Sequence, residues 1–330
     1  DLKIAEAASF EQNLNQYDVI YLDITLFLST LKQSDMLVAQ IEQEIIDDLA
    51  QSYPEIAVEH RLVDSLCKMN QITGRKLILI IDEWDAMFRE CKGADEILDN
   101  YILLLRSLFK SSLTDQLFAG VYMTGILPIK KYGHESAVSD FYEYSMVEPR
   151  PLQEYIGFTT EEVKSLCQKY DKDYTIMQEW YDGYTVGGVH VYNPKSVMES
   201  ILRDKYSSYW TKTETYEALR NYIDMNFDGL KDTVVDMLGG EKCEVDTGSF
   251  QNDMTSMKSR DDVLTLLIHL GYLAYDEDKR CVSIPNVEIR EEFIRAIKNG
   301  NRTELMKAVL RSDSILQATW EKDGRKVAEI

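Results

Sequence analysis

Leu77 to Phe88, LILIIDEWDAMF, limits the possible folds of this chain more than any other stretch. An unbroken Leu/Ile run, Leu77 to Ile81, passes directly into Asp82, Glu83 and Asp85. A run of this kind predicts a strand buried on both faces, as in a parallel sheet. Open α/β sheets bind ligands beyond the carboxyl ends of such strands, where these carboxylates stand.

The flanking sequence alternates in the same sense. Tyr17–Ile24, YDVIYLDI, reads as a buried strand, and Leu117–Thr124, LFAGVYMT, as another. Between them, Ser34 is positioned to cap a helix whose apolar stripe is Leu37, Val38, Ile41, Ile45, Ile46 and Leu49. A second helical stretch covers roughly residues 57–72. An amphipathic helix over 95–113 buries Ile97, Leu98, Tyr101, Leu104, Leu105 and Leu108. Strands alternating with helices predict a parallel α/β unit over residues 1–150.

Two prolines within Glu148–Pro151 mark a boundary. A mostly helical region over 151–214 follows, with Thr159 or Thr160 as a cap, a helix over 173–180, a glycine-rich turn in YDGYTVGG, and a helix starting at Asn193-Pro194. Residues 215–300 read as a winged-helix-like module. Ser259 caps a helix that Gly271 ends, two short strands flank an Asp-Glu-Asp-Lys turn, and a helix covers 288–298. Residues 301–330 read as a helical tail or linker.

Composition excludes several classes. A chain of 330 residues with 45% hydrophobic and 28% charged residues is ordinary for a globular protein of two or three domains. No apolar run approaches a membrane span. The five cysteines form no C-x-x-C pair, so a zinc site is not expected and a reducing cytoplasm fits. A net charge of −21 disfavours nucleic-acid contact unless basic residues cluster.

The acidic pair has the form of a Walker B motif, in which one carboxylate holds Mg²⁺ against nucleotide phosphates and the next polarises water. On that reading Asp82 is the metal and cofactor ligand and Glu83 the general base, because consecutive residues at a strand end project to different sides. The bland alternative is an acidic helix N-terminus favoured by the helix dipole. Asp85 is a candidate nucleotide contact and equally a cap for the next helix. Thr124 ends the neighbouring strand, where its hydroxyl could bond water or phosphate, or simply close a turn. Lys130 could reach phosphate as a point charge, although adjacent surface lysines are more often only solvated. The Walker A loop that normally accompanies such a strand is not in these residues, since no Gly-Lys pair occurs.

In order along the chain, YDVIYLDIT, LILIIDEWDAMF, VYMTGILPIKKYG, FYEYSM, WYDGYTVGG…VYNPKSVM and YWTKTET resemble the predicted AAA-ATPase-like proteins of bacteria and archaea. That family carries a P-loop ATPase domain, usually followed by a PD-(D/E)XK nuclease-like domain. The resemblance implies a P-loop NTPase-like parallel sheet with a helical lid and winged-helix-like module, and ATP and Mg as cofactors. It further implies a conformational switch controlling an attached nuclease-like domain or other protein partner. The chain starts after the family's Walker A loop and stops before its nuclease-like domain, so it reads as an N-terminally truncated central piece, inactive alone. The alternatives are a degenerate, non-hydrolysing scaffold for protein contacts, or a DNA-binding regulator reading through Lys258 and Arg260, whose acidic neighbours Asp261 and Asp262 argue against it. The aromatic block could stack on adenine from the lid, but packing of the lid is the stronger expectation.

Overall fold

The computed structural model describes residues 3–31, 35–91, 93–110, 113–126, 141–210, 226–248, 250 and 257–298, with isolated positions 219, 223, 319, 320, 322, 324 and 325. The chain divides into two compact units, Asp1–Tyr142 and Glu143–Ile330.

In the first unit, three strands form a parallel sheet: β1 (Asp18–Asp23), β2 (Leu77–Asp82) and β3 (Phe118–Met123), in that order across the sheet. The helices between them are α1 (Ile24–Thr30), α2 (Leu37–Ser52), α3 (Leu62–Thr73), α4 (Ala86–Glu90) and α5 (Asp95–Phe109). The expected stripe of α2 is buried, with Leu49 partly so, and α5 buries its predicted face with Leu98 at its margin. These helices merge with Ile20, Leu22, Leu77, Leu79 and Ile81 into one core. Gly74 ends α3 at φ +67, a left-handed conformation that glycine adopts without a Cβ penalty. The expected Ser34 cap lies outside the described residues.

Burial of the strands on both faces is corrected. Val19, Tyr21 and Tyr122 are 59%, 57% and 56% exposed. Register places them in two rows across one face, Val19–Ile78–Gly120 and Tyr21–Ile80–Tyr122. Strand side chains alternate between faces, so the core claims only every second residue of the apolar run. Leu/Ile content alone does not reveal whether a second layer covers the other side.

The second unit contains two small antiparallel sheets. The first pairs β4 (Phe158–Thr159), β6 (Val189–Tyr192) and β5 (Tyr184–Val186) in that order, around α6 (Thr160–Lys169), α7 (Tyr174–Tyr181) and α8 (Pro194–Arg203). The expected glycine-rich turn is therefore a hairpin, with Gly187 and Gly188 at positive φ in its bend. Helical propensity missed it because each strand is only three or four residues long. Thr159 caps α6 through a capping box with Glu162, and Asn193 caps α8 with Pro194 in its first turn.

Further along come α9 (Leu230–Leu238), β7 (Cys243–Glu244), α10 (Arg260–His269), β8 (Ala274–Asp276), β9 (Cys281–Ser283) and α11 (Val287–Lys298). The expected hairpin β8–β9 is joined by β7, which sequence periodicity did not reveal. Ser259 caps α10 as expected. His269 is half-buried, and its ring lies 5.8 Å from that of Phe250.

The aromatic block is used by the fold. Tyr181 donates its hydroxyl to the Ser207 carbonyl, Tyr184 donates to the Gly271 carbonyl, and the Tyr174 and Tyr192 hydroxyls are 3.1 Å apart. Asn286 Nδ2 donates to the Asp182 carbonyl, and Ser196 donates to the buried Glu288. The two halves of WYDGY…YNPKS thus meet at the start of α11.

Candidate active site

The site is built where β2 and β3 end. Beyond Asp82 the chain turns sharply, and Glu83 takes a left-handed conformation at φ +53. Non-glycine residues at positive φ are uncommon and concentrate at functional sites. The loop is tied to the next strand on both sides: Thr124 N–H donates to Ile81 O and Trp84 N–H donates to Thr124 O, each at 2.9 Å. Trp84 is buried against Phe88, and Tyr101 donates its hydroxyl to the Trp84 carbonyl.

Asp82 is held by three donors. Its Oδ1 accepts from the Thr124 hydroxyl and, at 3.1 Å, from Glu83 N–H, while Oδ2 accepts from the Tyr21 hydroxyl at 2.7 Å. The bonds from Thr124 and Tyr21 hold the Asp82 carboxyl below the usual range, against a smaller opposing effect of burial. The Tyr21 phenol is raised in turn, chiefly by its bond to Asp82.

Glu83 pairs with Arg89, yet burial is the larger influence and lifts its carboxyl above the ordinary value, with Arg89 pulling the other way. Arg89 Nε also donates to Asp85 Oδ2 at 3.1 Å, and Asp85 Oδ1 accepts from Ile126 N–H at 3.2 Å. The Asp85 side chain is 0% exposed. Gly125 packs so closely that a Cβ there would stand 2.6 Å from Trp84 and 2.7 Å from Asp85.

The structure thus brings Asp82, Glu83, Asp85 and Thr124 to one place. Asp85 occupies the cap position of α4 without a side-chain cap bond; it is enclosed between Arg89 and the Ile126 amide. Thr124 commits its proton to Asp82. Lys130 lies outside the described residues. Three participants escaped sequence reasoning. The i,i+4 spacing of Asp85 and Arg89 was a legible signal for one of them. Tyr21 and Gly125 gave none, because register and close approach are tertiary.

A carboxylate offers about four acceptor positions. With three filled, Asp82 retains room on Oδ2 for one more donor, which fits a hold on hydrated Mg²⁺ through water. Among the described residues no group of three or more His, Cys, Asp or Glu side chains forms a metal cage. Mg²⁺ on nucleotide needs none, because it keeps several waters and uses one or two carboxylates with phosphate oxygens. Asp85, enclosed as it is, does not fit such a role.

The dependence on Thr124 has a measurable consequence. Thr124→Val is expected to lower stability near pH 7 by about 1 kcal/mol, the ordinary worth of a hydrogen bond. The Asp82 carboxyl is depressed in the fold, so its stabilisation is complete above the unfolded value and disappears as pH falls through the folded one. Urea midpoints of the two proteins should converge on acidification; a gap independent of pH would refute this coupling.

The N-terminal part is mixed α/β, and its three-strand parallel sheet with carboxylates at the end of the central strand is consistent with a P-loop-like core. Residues 1–134 match the model of the AAA-ATPase-like family, described as Predicted AAA-ATPase. A match to an ATPase family implies nucleotide binding at the level of the family. The match takes in β1, β2, β3 and the Asp82–Arg89 cluster; FYEYSM and the WYDGY block lie beyond it. No curated protein and no solved structure matches the chain. Among the described residues no helix is long and apolar enough to cross a membrane.

Proposed function

We propose that this chain is the nucleotide-handling part of an ATP- and Mg-dependent conformational switch that acts on a protein partner or an attached nuclease-like domain. The observation that carries the reading is Asp82 at the end of β2, oriented by Thr124 from the end of β3, with Glu83 next to it. Asp82 would hold the Mg²⁺ hydration shell through Oδ2, while Thr124 and Tyr21 keep that carboxylate ionised and aimed. When bound, Mg²⁺ neutralises phosphate charge and polarises the phosphoryl group. Glu83 would orient water and accept its proton; burial lifts its carboxyl above the ordinary carboxylate value, the direction that favours a base.

In this reading residues 1–150 are the ATPase-like core, 151–214 a lid, 215–300 a winged-helix-like module and 301–330 a tail. The order of α9, β7, α10, β8 and β9 supports the third assignment. Helix α10 is buried from Val263 through Ile268 and offers no free face to a DNA groove. Arg260 is engaged by Asp261 and the Glu244 carbonyl. Both observations favour protein contact over DNA reading for this module.

The deciding experiment is Glu83→Gln in the protein as its gene encodes it. Turnover of Mg-ATP is expected to fall by roughly a hundredfold or more while nucleotide still binds, as for loss of a positioned base. Unchanged turnover would defeat the assignment. The 330 residues alone, with no Gly-Lys phosphate loop, are expected to bind Mg-ATP weakly by calorimetry.

A further inference from the structure

Arg89 stands between two carboxylates of different character. Asp85 is fully buried, and its second oxygen is held by Ile126 N–H. The Glu83 side chain is 37% exposed and sits on a left-handed residue at the loop's outer turn. Separating Arg89 from Asp85 would take a guanidinium from a fully buried carboxylate, whereas separating it from Glu83 returns one carboxylate to water. The guanidinium fork donates through Nε to Asp85 and through Nη2 to Glu83, so one half can open while the other stays closed.

We infer that Arg89 is a positioning residue that withholds Glu83: anchored permanently on Asp85, it holds the Glu83 carboxylate in an ion pair that must open before Glu83 can take a proton from water. The inference rests on Glu83 acting as the base. The pair closes when water is not yet placed and suppresses unproductive proton transfer. Because Asp85 also holds the Ile126 amide, the restraint is tied to the loop after β3 that carries Thr124, and the two loop ends hold their geometry together.

Two measurements separate this inference from the nucleotide reading. In ¹⁵N NMR of Arg89, assigned with Arg89→Lys, the wild-type Nη signals should be distinct through hindered rotation. In Glu83→Gln they should merge, while Nε–H stays protected by Asp85. Identical spectra in the two proteins would overturn the asymmetric clamp, whatever the chain binds. In the protein as its gene encodes it, Arg89→Lys leaves one cation for buried Asp85 and frees Glu83, so kcat for Mg-ATP should rise several-fold with KM unchanged. Lysine substitution could instead disturb the fold, so the charge-balanced pair Asp85→Asn with Arg89→Met is measured beside it and should show the same rise. A fall in kcat in both, with circular dichroism intact, would overturn withholding. Turnover absent from the parent and all variants defeats withholding together with the nucleotide reading, and the NMR result then stands as a finding about the pair alone.

Discussion

Gly183→Ala is expected to destabilise the second unit by about 3 kcal/mol or more, combining overpacking with strain at a forbidden backbone conformation. Gly183 sits at φ +111, which side chains on L-residues rarely adopt. A Cβ there would also stand 2.0 Å from the Pro285 carbonyl oxygen, a backbone atom that no rotamer change can move aside. Relief would require displacing the turn before α11. That displacement would strain the Asn286-to-Asp182 bond at 2.8 Å and the Ser196-to-Glu288 bond at 3.0 Å. Chemical denaturation followed by far-UV circular dichroism measures the loss. Gly188→Ala is the control, because its φ is also positive but nothing lies within 4 Å of its added Cβ. If both substitutions cost the same, backbone conformation alone sets the effect and the approach of Pro285 contributes nothing.

Arg89→Met is expected to be the most damaging change in the first unit, costing about 3–5 kcal/mol by removing the Arg89 guanidinium from the buried Asp85 carboxylate. At 0% exposure Asp85 cannot replace the lost Arg89 interaction with water. Asp85→Asn in the same protein should recover most of the loss, because the neutral amide can still accept from Ile126 N–H. Glu83→Gln alone should change stability far less, its side chain being partly solvated. Thermal midpoints of the parent, the three single variants and the two double variants that contain Arg89→Met close two cycles, in which the Asp85–Arg89 coupling should greatly exceed the Glu83–Arg89 coupling. Equal couplings would mean that Asp85 is less enclosed than its burial indicates.

Much of the fold was legible in the residues. The strand–helix alternation, the stripes of α2 and α5, the caps at Thr159, Asn193 and Ser259, and the carboxylates beyond β2 all follow from local physics. Periodicity, capping chemistry and strand-end position depend on residues near in sequence. The hairpin β5–β6 and the strand β7 were not legible, because strands of two to four residues carry too little pattern.

The candidate site divides in the same way. The amino-acid sequence places Asp82 and Glu83 at the carboxyl end of a strand, because an apolar run stops where charge begins. It also settled that the chain is acidic and has no phosphate loop of the Gly-Lys type among these residues. The partners that each carboxylate meets were set by the tertiary structure. Asp85 read equally as a nucleotide contact or a helix cap, yet it is enclosed by Arg89 and an amide from another strand's loop, while Asp82 receives its donors from Tyr21 and Thr124. Those partners lie 61 and 42 residues away from Asp82. The register of a parallel sheet brings them together, and no local pattern records that register, because the connecting helices can vary in length without changing which strand ends meet.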